Sequence, residues 1–158
     1  MATLSICRMA AADIDRPKQK GQQATPVHAM VYLVDLDKIN TAEQSFDANV
    51  YFVFSWLDPR LAHQNVHPIR RPLTEVWHPN IQIANQQKIW STFPEVAEIT
   101  PDGQVSYTQR IWGSFSQPLS LHDFPFDQQV FDIRFVAAGH QQHEIEFITE
   151  KKQFNGIA

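Results

Sequence analysis

Six apolar side chains at alternate positions constrain this chain more than anything else in it: Phe46, Ala48, Val50, Phe52, Phe54 and Trp56. Asp47, Asn49, Tyr51 and Ser55 stand between them. Successive side chains of a strand point to opposite faces, so this run has one apolar face and one mostly polar face. The apolar face has to be buried against a second layer. Further strands are expected in three apolar runs, Val27 to Leu36, Gln104 to Phe115 and Gln129 to Ala137. A last one is expected from His143 to Glu150, where Glu144 and Glu146 alternate with Ile145 and Phe147. Pro101-Asp102-Gly103 combines a fixed φ with a residue free to take positive φ, and should turn two antiparallel strands into a hairpin. Asp58-Pro59 and the Pro68/Pro72 cluster bracket a long loop. Helical periodicity is nearly absent; only the first dozen residues and Leu61–Val66 offer a helical turn. Short strands separated by turns predict an all-β, immunoglobulin-like sandwich.

At 158 residues the chain can bury one core. Polar residues with Pro17, Gly21 and Pro26 mark residues 1–26 as a lead-in, followed by one domain over 27–158. Leu4-Ser5-Ile6-Cys7 and Ala10-Ala11-Ala12 are compatible with a signal remnant or a gene-start remnant; Arg8 breaks the apolar run. Cys7 is the single cysteine, so no internal disulfide forms. The net charge of −4 and the lack of a basic stripe argue against nucleic acid as a partner. No apolar run reaches the ~20 residues that cross a bilayer.

Four short motifs go further. Gln117 to Phe131 contains Phe124-Pro125-Phe126-Asp127-Gln128. Ser55-Trp56-Leu57-Asp58-Pro59-Arg60-Leu61 resembles a Trp-x-Asp-x-Arg-Leu pattern. Val76-Trp77-His78-Pro79-Asn80 resembles Trp-x-Pro-Asp, with Asn for Asp. Gly103-Gln104-Val105-Ser106-Tyr107 resembles Gly-x-Val-x-Tyr. In this order and spacing they resemble the extracellular domain of Cys-loop receptors, the pentameric ligand-gated ion channels, over residues 27–149. Gln117 and Phe131 fall where the animal members have the two disulfide-bonded cysteines, which points to the prokaryotic branch.

The resemblance implies a sandwich of about ten strands, truncated here before its last two and before the hairpin that caps the ligand site. It implies a homopentamer, a transmembrane pore domain on the same polypeptide, and a cell-membrane location with this domain on the extracellular or periplasmic side. Its function would be to couple a small-molecule or proton agonist, bound between subunits, to a pore absent from this chain. It places Tyr51, Ser106 and Thr108 on the complementary side of the ligand site. On the principal side it places Ala84 and Ala138 where the family's neurotransmitter receptors carry aromatics. A quaternary-amine agonist, which needs an aromatic cage, is therefore not expected. Coupling to the pore falls to Lys38, Ile39, Asn40 and Thr41 at the turn between the first two strands, and to Phe124, Pro125, Phe126 and Asp127 in the signature loop. A cis Phe124–Pro125 bond is expected in that loop.

His140-x-x-His143 and His63-x-x-x-His67 have ligand-like spacings but no evident third ligand, so no metal and no cofactor is expected. There is no Gly-rich phosphate loop, no nucleophile elbow and no zinc-protease helix, so the chain does not read as an enzyme. The alternative reading is a stand-alone soluble β-sandwich that binds a small molecule, or a carbohydrate on exposed Trp77, Trp90 and Trp112.

Overall fold

The computed structural model describes residues 15–17, 24–118 and 130–149. Nine strands follow one another: β1 (Thr25–Asn40), β2 (Ser45–Leu57), β3 (Ile69–Pro72), β4 (Ile81–Ile83), β5 (Gln86–Ser91), β6 (Val96–Ile99), β7 (Gln104–Ser116), β8 (Phe135–Ala137) and β9 (Ile145–Thr149). The described residues contain no α-helix; two single 3₁₀ turns cover Pro59–Leu61 and Leu73–Glu75. The large sheet runs β3-β6-β7-β2-β1-β9, with β5 also paired to β7. The small sheet is the antiparallel pair β4-β8. The expected two-layer all-β arrangement is what these strands form.

The alternation in β2 does what its period dictates. Phe46, Ala48, Val50, Phe52, Phe54 and Trp56 are all buried, and the residues between them face away from the core. The small sheet is held over this face by rings: Phe135 meets both Phe52 and Phe54 at 5.4 Å between centroids. Phe147 of β9 reaches Phe54 at 6.2 Å. Lower down, Phe46 contacts Phe115 and Phe131 at 5.4 and 5.0 Å.

Two of the motifs turn out to be one contact. Asp58 is 1% exposed, and its carboxylate accepts from Arg60 Nε and Nη2, both at 2.9 Å. The same carboxylate caps the Pro59–Leu61 turn through Arg60 N. The Asp58 N–H donates to Gly103 O at 3.0 Å. Gly103 has φ +86°, and a Cβ there would stand 2.6 Å from Asp58 O. Glycine is thus required twice, by conformation and by close approach. The predicted hairpin is present: β6 and β7 pair antiparallel through Ile99 and Val105 across the Pro101-Asp102-Gly103 turn.

Some expectations need correction. The Gln129–Ala137 strand shrinks to Phe135–Ala137 within the described residues; ahead of it the Gln117 side chain bonds Val130 O and Asp132 N, and the Asn85 side chain bonds Asp132 O and Arg134 N. The helical turn expected at Leu61–Val66 is the 3₁₀ turn Pro59–Leu61, set by its aspartate cap and proline. Trp77 is 4% exposed and packs edge-on against Trp56 at 5.9 Å, which removes it from any surface platform. Residues Asp15–Pro17, assigned to the lead-in, contact the domain: Arg16 Nη1 donates to Glu144 O, and Arg60 Nη2 to Asp15 O. The signature-loop residues Phe124, Pro125, Phe126 and Asp127, and the bond between the first two, lie outside the described residues.

Candidate functional site

The outward face of the large sheet carries the expected complementary-side residues. Across β2 and β7, Tyr51 pairs with Arg110, Val53 with Thr108 and Ser55 with Ser106. All of them point away from the core. Beside them is an open groove of about 420 Å³ lined by Arg70, Phe93, Val96, Glu98, Ser106 and Thr108. Phe93 meets the Tyr51 ring edge-on at 6.3 Å, and Tyr32 lies 6.1 Å from Tyr51 on its other side. Three rings and two hydroxyl-bearing residues therefore gather on one face. The groove's two charges, Arg70 and Glu98, pair at 3.2 Å in an exposed position, so the bridge adds little stability.

Sequence reasoning missed Phe93 and Tyr32. Tyr32 is legible once the β1-β2 register is known. Phe93 is not, because it belongs to no strand and is held by Gln109. That side chain is 1% exposed. It accepts from Phe93 N at 2.8 Å and donates to Phe93 O at 2.9 Å. A buried carboxamide thus substitutes for a ladder partner and fixes the ring's backbone.

The two alanines expected on the principal side, Ala84 and Ala138, are not brought together. Ala84 follows β4, its N–H bonded to Arg134 O; Ala138 follows β8, its N–H bonded to Asn80 O. They lie at opposite ends of the small sheet, roughly 13 Å apart at the strand's rise per residue. Asn85 beside Ala84 is buried and joins the layers: Nδ2 donates to Ser116 O and Asp132 O, and Oδ1 accepts from Arg134 N.

At the opposite end of the sheet, Lys38, Ile39 and Asn40 are still in β1, paired with Asp47, Phe46 and Ser45. Thr41 alone of the expected four is in the turn, which spans 41–44. Asn40 Oδ1 accepts from Glu43 N, and Gln44 takes a φ of 51°. The turn is tied to the start of the signature loop by Gln117 N donating to Gln44 O at 2.8 Å. The Gln117 side chain then closes the loop's neck. Its Nε2 donates to Val130 O, and its Oε1 accepts from Asp132 N at 2.7 Å. These two bonds flank Phe131. Replacing Gln117 by leucine should cost about 1 kcal/mol, the net worth of an exposed hydrogen-bonded pair. It should also speed amide exchange at Asp132; unchanged exchange there would show that the neck is held by something else.

The sequence pattern of the neurotransmitter-gated ion-channel ligand binding domain matches residues 12–157. The chain belongs to that family. It is 25% identical over 139 residues to the gamma-aminobutyric acid receptor subunit gamma-1 of Rattus norvegicus, covering 83% of this chain and 30% of that protein. The human subunit gives the same identity and coverage. It is also 25% identical over 128 residues to the proton-gated ion channel of Gloeobacter violaceus, covering 78% of this chain and 36% of that one. The chain thus spans about a third of the length of these curated relatives. The family is one of channel domains, not of enzymes. No helix among the described residues is long and apolar enough to cross a membrane.

His63 is anchored through its backbone to Pro101 and through Nε2 to Ile99 O, and His140 Nδ1 lies 3.7 Å from Glu144. Among the described residues no three His, Cys, Asp or Glu side chains are grouped to hold a metal. His78 differs. Burial pushes its imidazole below the ordinary 6.5; Glu95 opposes that shift and His140 adds to it. The unfolded chain therefore takes up this proton at a higher pH than the folded one. Stability should be full above about pH 6.5 and should fall as pH drops through and below that value. Urea midpoints from neutral to mildly acidic pH should fall less steeply for His78→Gln than for the parent; identical slopes would assign the acid loss to other groups.

Proposed function

We propose that this chain is the ligand-sensing domain of a pentameric ligand-gated ion channel. In this reading five copies form a ring at the cell membrane, on its extracellular or periplasmic side. A small-molecule or proton agonist acts at the subunit interfaces, and the domain couples it to a pore outside this chain. The observation that carries the reading is the family match over residues 12–157. The groove supports it by setting Tyr51, Phe93, Ser106 and Thr108 on one exposed face. Coupling is assigned to the 41–44 turn with Lys38, Ile39 and Asn40 behind it, and to the loop whose neck Gln117 closes.

The test joins this chain to the pore domain of the Gloeobacter violaceus proton-gated ion channel and records currents in oocytes. Acid steps and small primary amines are applied. Evoked currents are expected, with Tyr51→Ala or Phe93→Ala moving the amine half-maximal concentration at least about tenfold, or 1.4 kcal/mol. Surface-expressed pentamers that answer neither stimulus would overturn the proposal.

A further inference from the structure

The outward face of the large sheet carries a second feature, further along β7 than the groove. Trp90 of β5 and Trp112 of β7 are direct register partners. Their indoles lie 4.9 Å apart between centroids, inclined by 33°. They remain 54% and 40% exposed. Single exposed hydrophobes are ordinary, but two indoles side by side make a patch that calls for an occupant. The Trp112 ring is also held in place. Asp37 on β1 reaches over β2 and accepts its indole N–H at 2.7 Å. The register shift between Leu36 and Lys38 supplies that aspartate, and bulges often re-aim a side chain in this way. A ring fixed beforehand loses little freedom on binding.

The surroundings of the rings decide what fits on them. Asn49 stands beside Trp112 on β2, with Asp47 and Ser114 one outward pair further on and Arg110 one back. Asn49 Oδ1 accepts from Arg110 Nε at 3.0 Å, and Ser114 Oγ donates to Asp47 Oδ1 at 2.6 Å. Those bonds leave the Asn49 N–H₂, the terminal nitrogens of Arg110 and one oxygen each of Asp37 and Asp47 without a partner among the described residues. Charge cancels around the rings: Asp35, Asp37 and Asp47 are matched by Lys38, Lys88 and Arg110. An ion of either sign therefore meets no net attraction. An apolar protein surface laid on the rings would strip water from these charges and return nothing. A pyranose ring answers both demands. Its weakly positive C–H bonds suit the negative face of an indole. Its hydroxyls both donate and accept, so they match amide, guanidinium and carboxylate alike.

We propose that Trp90 and Trp112 form a stacking platform for a neutral pyranose sugar, with Asn49, Arg110, Asp37 and Asp47 bonding its hydroxyls. The platform belongs to one sheet face of one chain. It therefore stands or falls separately from the channel reading.

Cellotriose is the probe, because its β-linked glucose rings carry their substituents equatorially and leave C–H bonds on both faces. Its titration into the ¹⁵N-labelled 158-residue chain is followed at the Trp90 and Trp112 indole N–H resonances, identified by their loss in Trp90→Phe and Trp112→Phe. Saturable shifts at both in the millimolar range are expected. Sorbitol has the hydroxyls but no ring face, and should bind at least about tenfold more weakly, a difference of 1.4 kcal/mol. Calorimetry on Trp90→Ala should show a similar loss, with the parent's urea midpoint retained. Asn49→Ala, which leaves both rings in place, should weaken binding severalfold. No saturable shift up to tens of millimolar, or equal affinity for sorbitol or in Trp90→Ala, would overturn the proposal. Tighter binding of tetramethylammonium would make the pair a cation site and overturn it. Self-association of the parent that Trp90→Ala abolishes would assign the rings to a contact between copies, with the same result.

Discussion

A Gly113→Val chain is expected to lose about 3 kcal/mol of stability or more, at the upper end of what overpacking costs. Gly113 lies in β7 between Ala48 of β2 and Ile89 of β5. A Cβ added there would sit 2.2 Å from Lys88 O and 2.9 Å from Ile89 Cα. Both are backbone atoms, so no rotamer change relieves the clash; β5 itself must move. The backbone at Gly113 does not need positive φ, so the effect isolates close approach from conformational strain. β5 carries Trp90, tilted against Trp112 at 4.9 Å between centroids, and leads into Phe93. The substitution should therefore alter tryptophan fluorescence as well as lower the urea midpoint. A valine variant that unfolds at the parent's midpoint would show that β5 is not packed against this glycine.

Phe54→Ala is expected to cost about 3–5 kcal/mol, the range for deleting a buried ring. Phe54 is fully buried, and its ring meets Phe52, Phe135 and Phe147 within 5.3 to 6.2 Å. Those contacts join β2 to the small sheet and to β9, so the cavity opens where the two layers meet. Domains of this kind have about 5–15 kcal/mol in total, so the loss takes a large share. Tyr51→Ala, on the opposite face of the same strand, is the control and should change stability far less. Equal losses at the two positions would mean that the sheet has no inside and outside.

That distinction between faces was written plainly in the chain, because a period of two survives whatever surrounds it. The tip of the β1-β2 turn was not. Two register shifts, between Leu33 and Asp35 and between Leu36 and Lys38, each place one extra residue in β1. Each bulge consumes chain without advancing the pairing, so the turn falls at 41–44 and not around Lys38. Nothing in the local composition marks Val34 or Asp37 as the extra residue; one sign is that Asp37 accepts the Trp112 indole N–H at 2.7 Å. Tyr51, Ser106 and Thr108, expected on the complementary side, share one outward sheet face, which the sequence could show because they sit on long strands. Phe93 could not be placed, since its position depends on two hydrogen bonds with the Gln109 side chain, sixteen residues away. The alanines at 84 and 138 were aligned by counting from motifs, and counting says nothing about which end of a strand pair a residue reaches. The joining of Asp58 to Gly103 was also hidden, because forty-five residues of chain separate the two motifs that carry them.

The Gln117 closure has a consequence for how such a chain matures. A cystine at this place requires an oxidising compartment, and mispaired thiols are rearranged over minutes to hours. A carboxamide that grips Val130 O and Asp132 N needs neither oxidant nor isomerase. It is remade each time the neck fluctuates open, and it is indifferent to reductants. The loop's closure therefore follows folding itself, and a cell with no machinery for oxidative folding can complete it.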